Sequence, residues 1–113
     1  MPKTKTRAYS RYTLQVVQLL GRLIRTARIE NRMTTRELSE RAGISRDMLY
    51  RIEKGDPRAE IGVAFELAAI LKIQLFESER DTLRTQIKRT EDRLALLPKA
   101  IRSRKKEEVP DDF

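Results

Sequence analysis

Arg46, Asp47, Met48 and Arg51 stand close together in the stretch RELSERAGISRDMLYRIEKG, residues 36–55. Between them they carry groups that can read the edges of DNA bases. An arginine donates two parallel hydrogen bonds to guanine O6 and N7. An aspartate accepts from cytosine N4, or else orients its neighbour Arg46, and a methionine can rest against a thymine methyl group. Around them lie residues suited to phosphate: Thr35, Arg36, Arg32, Ser45 and Lys54. Such contacts position a protein on the duplex without reading its sequence. The other reading of each residue is an ordinary solvated helix face.

Catalytic chemistry finds little to work with. The chain of 113 residues has no cysteine and no histidine. Disulfides, thiol catalysis and zinc fingers are excluded, and the commonest general base and metal ligand is missing. No cluster of acidic residues has metal-ligand spacing. The expectation is a protein that is not an enzyme, with no catalytic residue, no metal and no cofactor.

A base-reading helix must be held at a fixed angle to the groove. The local signals supply the holding elements. From Thr13 to about Asn31, Val16, Val17, Leu20, Leu23, Ile24 and Ala27 recur at helical spacing. Thr34 and Glu37 form a capping box for a second helix, Thr35 to Ala42, with Leu38 and Ala42 facing inward. Gly43 ends it in the left-handed conformation, Ile44 plugs the corner, and Ser45 caps a third helix running to about Lys54. Leu49 and Ile52 face inward there, and Gly55 ends the helix. Pro57 stops any continuation. A fourth helix, roughly Gly62 to Leu71, turns Val63, Leu67, Ala68 and Leu71 toward the same core. No strand pattern and no repeat occurs.

Charge follows this division. Lys and Arg number 25 against 17 Asp and Glu, a net charge of +8. Residues 1–60 hold 14 basic against 7 acidic side chains, and residues 61–113 hold 11 against 10. The positive field belongs to the half with the paired helices and points to a polyanionic partner. No apolar run approaches the ~20 residues that would span a membrane, and the cytoplasm or nucleoid is the expected location.

The stretch TTRELSERAGISRDMLYRIEKG, with the arginine-rich helix before it, resembles the helix-turn-helix family of lambda repressor and Cro, the XRE-type regulators. The resemblance covers residues 20–71. It implies a sequence-specific DNA-binding repressor acting on double-stranded DNA at a palindromic operator. It also implies a structural pair between Glu53 of the I-E-x-G segment and Arg28 on the first helix. Two departures stand out. Thr35 replaces the usual glutamine. Arg32 replaces a frequent glycine, with Asn31 the expected supplier of the left-handed turn.

The fold expected is all-α: a compact helix-turn-helix bundle of about four helices, a longer C-terminal helix and flexible tails. Residues 1–11 read as a flexible basic arm, 12–74 as the DNA-binding domain, 75–98 as an amphipathic helix and 99–113 as a disordered tail. Within the long helix Leu83, Ile87, Thr90, Leu94 and Leu97 alternate at steps of four and three, a heptad seam. The seam joins two chains as a homodimer or packs on its own domain. EKGDP, VAFELAAILKI and DRLALLPKAIR with a detached tail also resemble the antitoxin of Hip-type modules. That resemblance implies autoregulation and a kinase-fold toxin as partner. Phe113 in EEVPDDF is then an anchor on that partner, or part of a solubilising end.

Overall fold

A computed structural model describes residues 7–76 and 80–101, with the side chains of 80 and 81 excepted. All secondary structure among the described residues is helical: α1 (Arg11–Glu30), α2 (Thr35–Ala42), α3 (Arg46–Lys54), α4 (Ile61–Ile70) and α5 (Arg80–Leu96). The chain divides at residues 75 and 76 into two compact units.

In the first unit α1 packs on α3, and α2 packs on α3 and α4. Ile24, Leu38, Leu49, Ile52, Leu67 and Leu71, one or two from each helix, form the buried core. Leu20, Ala27, Met33, Ala42, Ile44, Met48, Val63 and Ile73 close around it. Helices α2, α3 and α4 are each too short to persist alone, so this shared burial is what holds them.

The ends are fixed by local chemistry. Ser10 Oγ accepts the Thr13 N–H, Thr34 Oγ1 that of Glu37, and Ser45 Oγ that of Met48. Glu37 Oε1 accepts in return from the Thr34 N–H, completing the capping box. The Thr34 N–H, and then its hydroxyl, hold the Glu37 carboxyl below the usual glutamate range. The exits of α1 to α4 share one closure, in which a left-handed residue lets the next N–H reach back across the last turn. The pairs are Met33 N to Arg28 O, Ile44 N to Ser39 O, Asp56 N to Arg51 O and Ile73 N to Ala68 O, at 2.8–3.0 Å. Gly43 and Gly55 supply the left-handed residue at two of these exits, and Arg32 (φ 56°) and Lys72 (φ 59°) at the others.

The structure corrects four boundary and facing expectations. The left-handed residue after α1 is Arg32 itself; Asn31 (φ −85°) instead donates its side-chain N–H to Ala27 O. Helix α1 starts two residues earlier than expected, at Arg11, with Ser10 as its cap. Residues 1–6 and 102–113, including Phe113, lie outside the described residues. Helix α4 starts one residue early, at Ile61. Val16 and Leu23 are exposed, and with Tyr12 and Leu19 they form a second apolar stripe on α1, at steps of four, three and four. The apolar arc of α1 is wider than the face α3 covers.

In the second unit, α5 ends two residues before Pro98. Leu83 is half-buried, whereas Ile87, Leu94 and Leu97 are 60%, 61% and 56% exposed. Lys88 and Asp92 pair along the helix at 3.6 Å.

Candidate nucleic-acid interface

Helix α3 is mounted on α1 at several points. A Cβ on Gly21 would stand 2.7 Å from the Glu53 carbonyl oxygen and would overlap that of Ile52. Only glycine lets the two backbones approach so closely. A Cβ on Gly55 would likewise stand 2.8 Å from Gln18 Cα. Beside this crossing, Arg28 and Glu53 are both buried. Arg28 Nε donates to Glu53 Oε2 at 2.7 Å and Nη2 to Oε1 at 3.2 Å. Its Nη1 donates to Met33 O at 3.0 Å. The planar guanidinium fork suits this bidentate bond, and no buried polar side-chain atom among the described residues lacks a partner. Arg22 Nη1 adds a bond to Glu53 O at 2.8 Å.

With Leu49, Ile52 and Glu53 turned inward, the outer face of α3 is fixed by helical geometry. It carries Arg46, Tyr50 and Lys54 in one row and Asp47 and Arg51 in the next, all exposed. Tyr50 was not anticipated as a site residue, although the four-residue spacing 46–50–54 signals it. Lys54 Nζ sits 4.8 Å from the Tyr50 ring centroid, a cation–π contact.

Two expected roles shift. Asp47 Oδ2 lies 3.2 Å from Arg51 Nε, so Asp47 braces Arg51 one turn away rather than Arg46. An i, i+4 pair shares one helix face, whereas adjacent residues diverge. Met48 is half-buried against the core, which leaves only part of its side chain to meet a ligand.

The residues expected at phosphate are spread over three elements. Thr35 is half-buried at the start of α2. Arg36 is exposed and pairs with Glu40 at 3.5 Å. The Ser45 oxygen accepts a cap bond and keeps its hydroxyl proton for a donor bond outward. Lys54 is exposed at the end of α3, and Arg32 is exposed after α1.

The turn after α3 adds residues that the sequence reading left out. Asp56, little exposed, accepts from the Arg58 N–H at 2.9 Å and from Arg58 Nε and Nη2 at 3.1 Å. Arg51 Nη1 stands 4.0 Å from its other side. The Arg58 side chain, then the Arg58 N–H, hold the Asp56 carboxyl below the usual range against the opposing effect of burial, with the charges of Arg58 and Arg51 adding less. These residues and Met48 border a recess of about 160 Å³ beside α3. The Asp-Pro-Arg turn is the available sequence signal, since aspartate commonly bonds the backbone two residues on.

A short helix crossing a second one and presenting a polar, arginine-bearing outer face is the arrangement that enters a major groove. Residues 24–78 match a family model described as helix-turn-helix. This segment is a lambda-repressor-like, XRE-type helix-turn-helix domain, and such a domain binds double-stranded DNA in transcription regulation. No curated protein and no solved structure matches the chain. Among the described residues no helix is long and apolar enough to cross a membrane.

Proposed function

We propose that the chain is a transcriptional repressor that works as a homodimer on a palindromic operator in the nucleoid. We further infer that it autoregulates its own operon as the antitoxin of a Hip-type module. It carries no catalytic step and needs no cofactor. The observation that carries the repressor reading is the mounting of α3. The Arg28–Glu53 bond and the Gly21 crossing set the helix, and Arg46, Asp47, Tyr50, Arg51 and Lys54 are left facing outward. Dimerisation is supported by the exposed Ile87 and Leu94 of α5 and Leu97 just after it, because one small module gives only ~600–1,000 Å² of DNA interface.

Footprinting on the DNA upstream of its own gene tests the repressor reading. Protection should cover an inverted repeat with half-sites about 10 base pairs apart or a multiple of that. Affinity should fall with salt at a log–log slope of about −0.9 per phosphate neutralised. Equal binding to all duplexes would sink the reading.

The antitoxin reading rests on DRLALLPKAIR and the acidic EEVPDDF end. Deleting residues 99–113 should leave operator binding intact and weaken the hold on a kinase-fold toxin. A stand-alone XRE-type regulator is the second reading. It is favoured by the family match, which covers residues 24–78 and not the tail. A neighbouring reading frame without a kinase-like product would decide for it.

A further inference from the structure

Resting on the homodimer reading, we propose that α5 meets α5 of a second copy in antiparallel orientation, with Leu83 opposite Leu94 and Ile87 opposite Thr90 of the other chain. In heptad terms Ile87 and Leu94 occupy a positions, and Leu83, Thr90 and Leu97 occupy d positions. Antiparallel helices set a against d, so the four layers from Leu83 to Leu94 are filled from one face, and Leu97 falls opposite position 80 at each end. Thr90 causes no polar penalty there, because its hydroxyl already donates to Gln86 O at 2.8 Å.

The charges beside the seam select the orientation. Arg84 and Glu91 are e positions, and Gln86 and Arg93 are g positions. Antiparallel helices bring e against e and g against g. The register places Arg84 against Glu91 of the other copy, and the two-fold axis repeats that pair. Gln86 then meets Arg93, which a side-chain amide oxygen can accept. Parallel helices bring g against e instead. Within α5 that sets Gln86 against Glu91 with no pair of opposite charges, and Arg84 would have to look to Glu79, ahead of the helix. Lys88 and Asp92, already paired with one another, lie on the outer face in either case.

Sedimentation equilibrium of the full chain at low salt tests this, with charge-reversal variants and one spin label. Arg84→Glu should weaken the dimer about tenfold, since two attractions become two repulsions, and Glu91→Arg should do the same. The double variant Arg84→Glu/Glu91→Arg should return to within about twofold of the parent, because the pairs re-form with the signs exchanged. The absence of cysteine makes Leu96→Cys, at an 86% exposed site, a unique labelling position. Its two labels should be offset by about 22 Å along the helix pair, and by nothing in a parallel pair. A stable dimer whose double variant is as weak as the singles combined, or whose labels lie side by side, overturns the antiparallel register and leaves the homodimer standing. A chain that sediments as a monomer at every concentration overturns both.

Discussion

Arg28 and Glu53, twenty-five positions apart in the chain, meet in a buried two-point bond of 2.7 and 3.2 Å that ties the base-reading helix to α1. Removing one partner strands the other charge. Arg28→Ala should therefore cost about 3–5 kcal/mol in denaturant unfolding. Arg28→Met with Glu53→Leu should recover most of that loss, because replacing both partners by apolar groups leaves no unpaired charge. A double variant as unstable as the single would mean that the Arg28 bond to the Met33 carbonyl, rather than the ion pair, dominates.

Arg46 and Lys54 stand on one row of α3 and should behave differently. Arg46→Ala should lose about 1–3 kcal/mol on the operator and little on random duplex, as a base-edge contact does. Lys54→Ala should weaken both alike and reduce the salt slope by about one. Competition binding at several salt concentrations separates the two. Equal losses for Arg46→Ala on both duplexes would move Arg46 to the backbone class.

Gly21 and Gly62 both lie inside helices, yet their alanine variants should move in opposite directions. At Gly21 the new Cβ meets backbone of Ile52 and Glu53, so Gly21→Ala should cost about 1–3 kcal/mol or more and loosen the seat of α3. At Gly62 it meets nothing within 4 Å, so Gly62→Ala should add up to about 1 kcal/mol. Thermal melts of the two variants against the parent read both signs.

Arg32 holds a left-handed backbone that favours glycine, at a cost of about 1–2 kcal/mol. Arg32→Gly relieves that strain but adds about 0.4–1 kcal/mol of unfolded-state freedom. Unfolding should thus show a variant at least as stable as the parent. If Arg32 also touches phosphate, the same variant has a shallower salt slope. Stability and binding then separate in one protein.

Asp56 should set part of the acid sensitivity. Its folded carboxyl titrates below the free aspartate value of about 3.9, so its contribution is complete above that pH. It is lost as pH falls through the lower folded value. Between pH 5 and pH 2 the parent should lose more stability than Asp56→Asn, whose amide does not titrate. Parallel unfolding curves for the two proteins across that range would remove Asp56 from the account.

The helix ends were legible because capping is local chemistry: Thr34, Glu37, Gly43, Ser45 and Gly55 act within a few residues of themselves. The Arg28–Glu53 bond was legible through resemblance, since nothing in its spacing announces it. Arg32 was missed because the left-handed site is set by where Met33 N–H reaches back to Arg28 O, a count that residue preference cannot supply. Val16 and Leu23 were misplaced for a different reason. Periodicity marks which face of α1 is apolar and carries no information on how wide a partner covers it. Nothing in the sequence announces the Arg22 bond, and only the fold brings that side chain to the Glu53 carbonyl. The Asp47–Arg51 brace and the 46–50–54 row were written in the four-residue spacing and needed only the inward face to be fixed first.

The crossing at Gly21 separates what α3 is attached by from what it displays. Its anchors, Leu49, Ile52 and Glu53, share no position with the outward Arg46, Asp47, Tyr50, Arg51 and Lys54. The outer set can drift, duplicate and diverge while the frame stays constant, so descendants of one such chain can come to address different operators without passing through an unfolded ancestor. The tilt of the helix has no such latitude, because glycine at position 21 leaves no smaller residue to exchange.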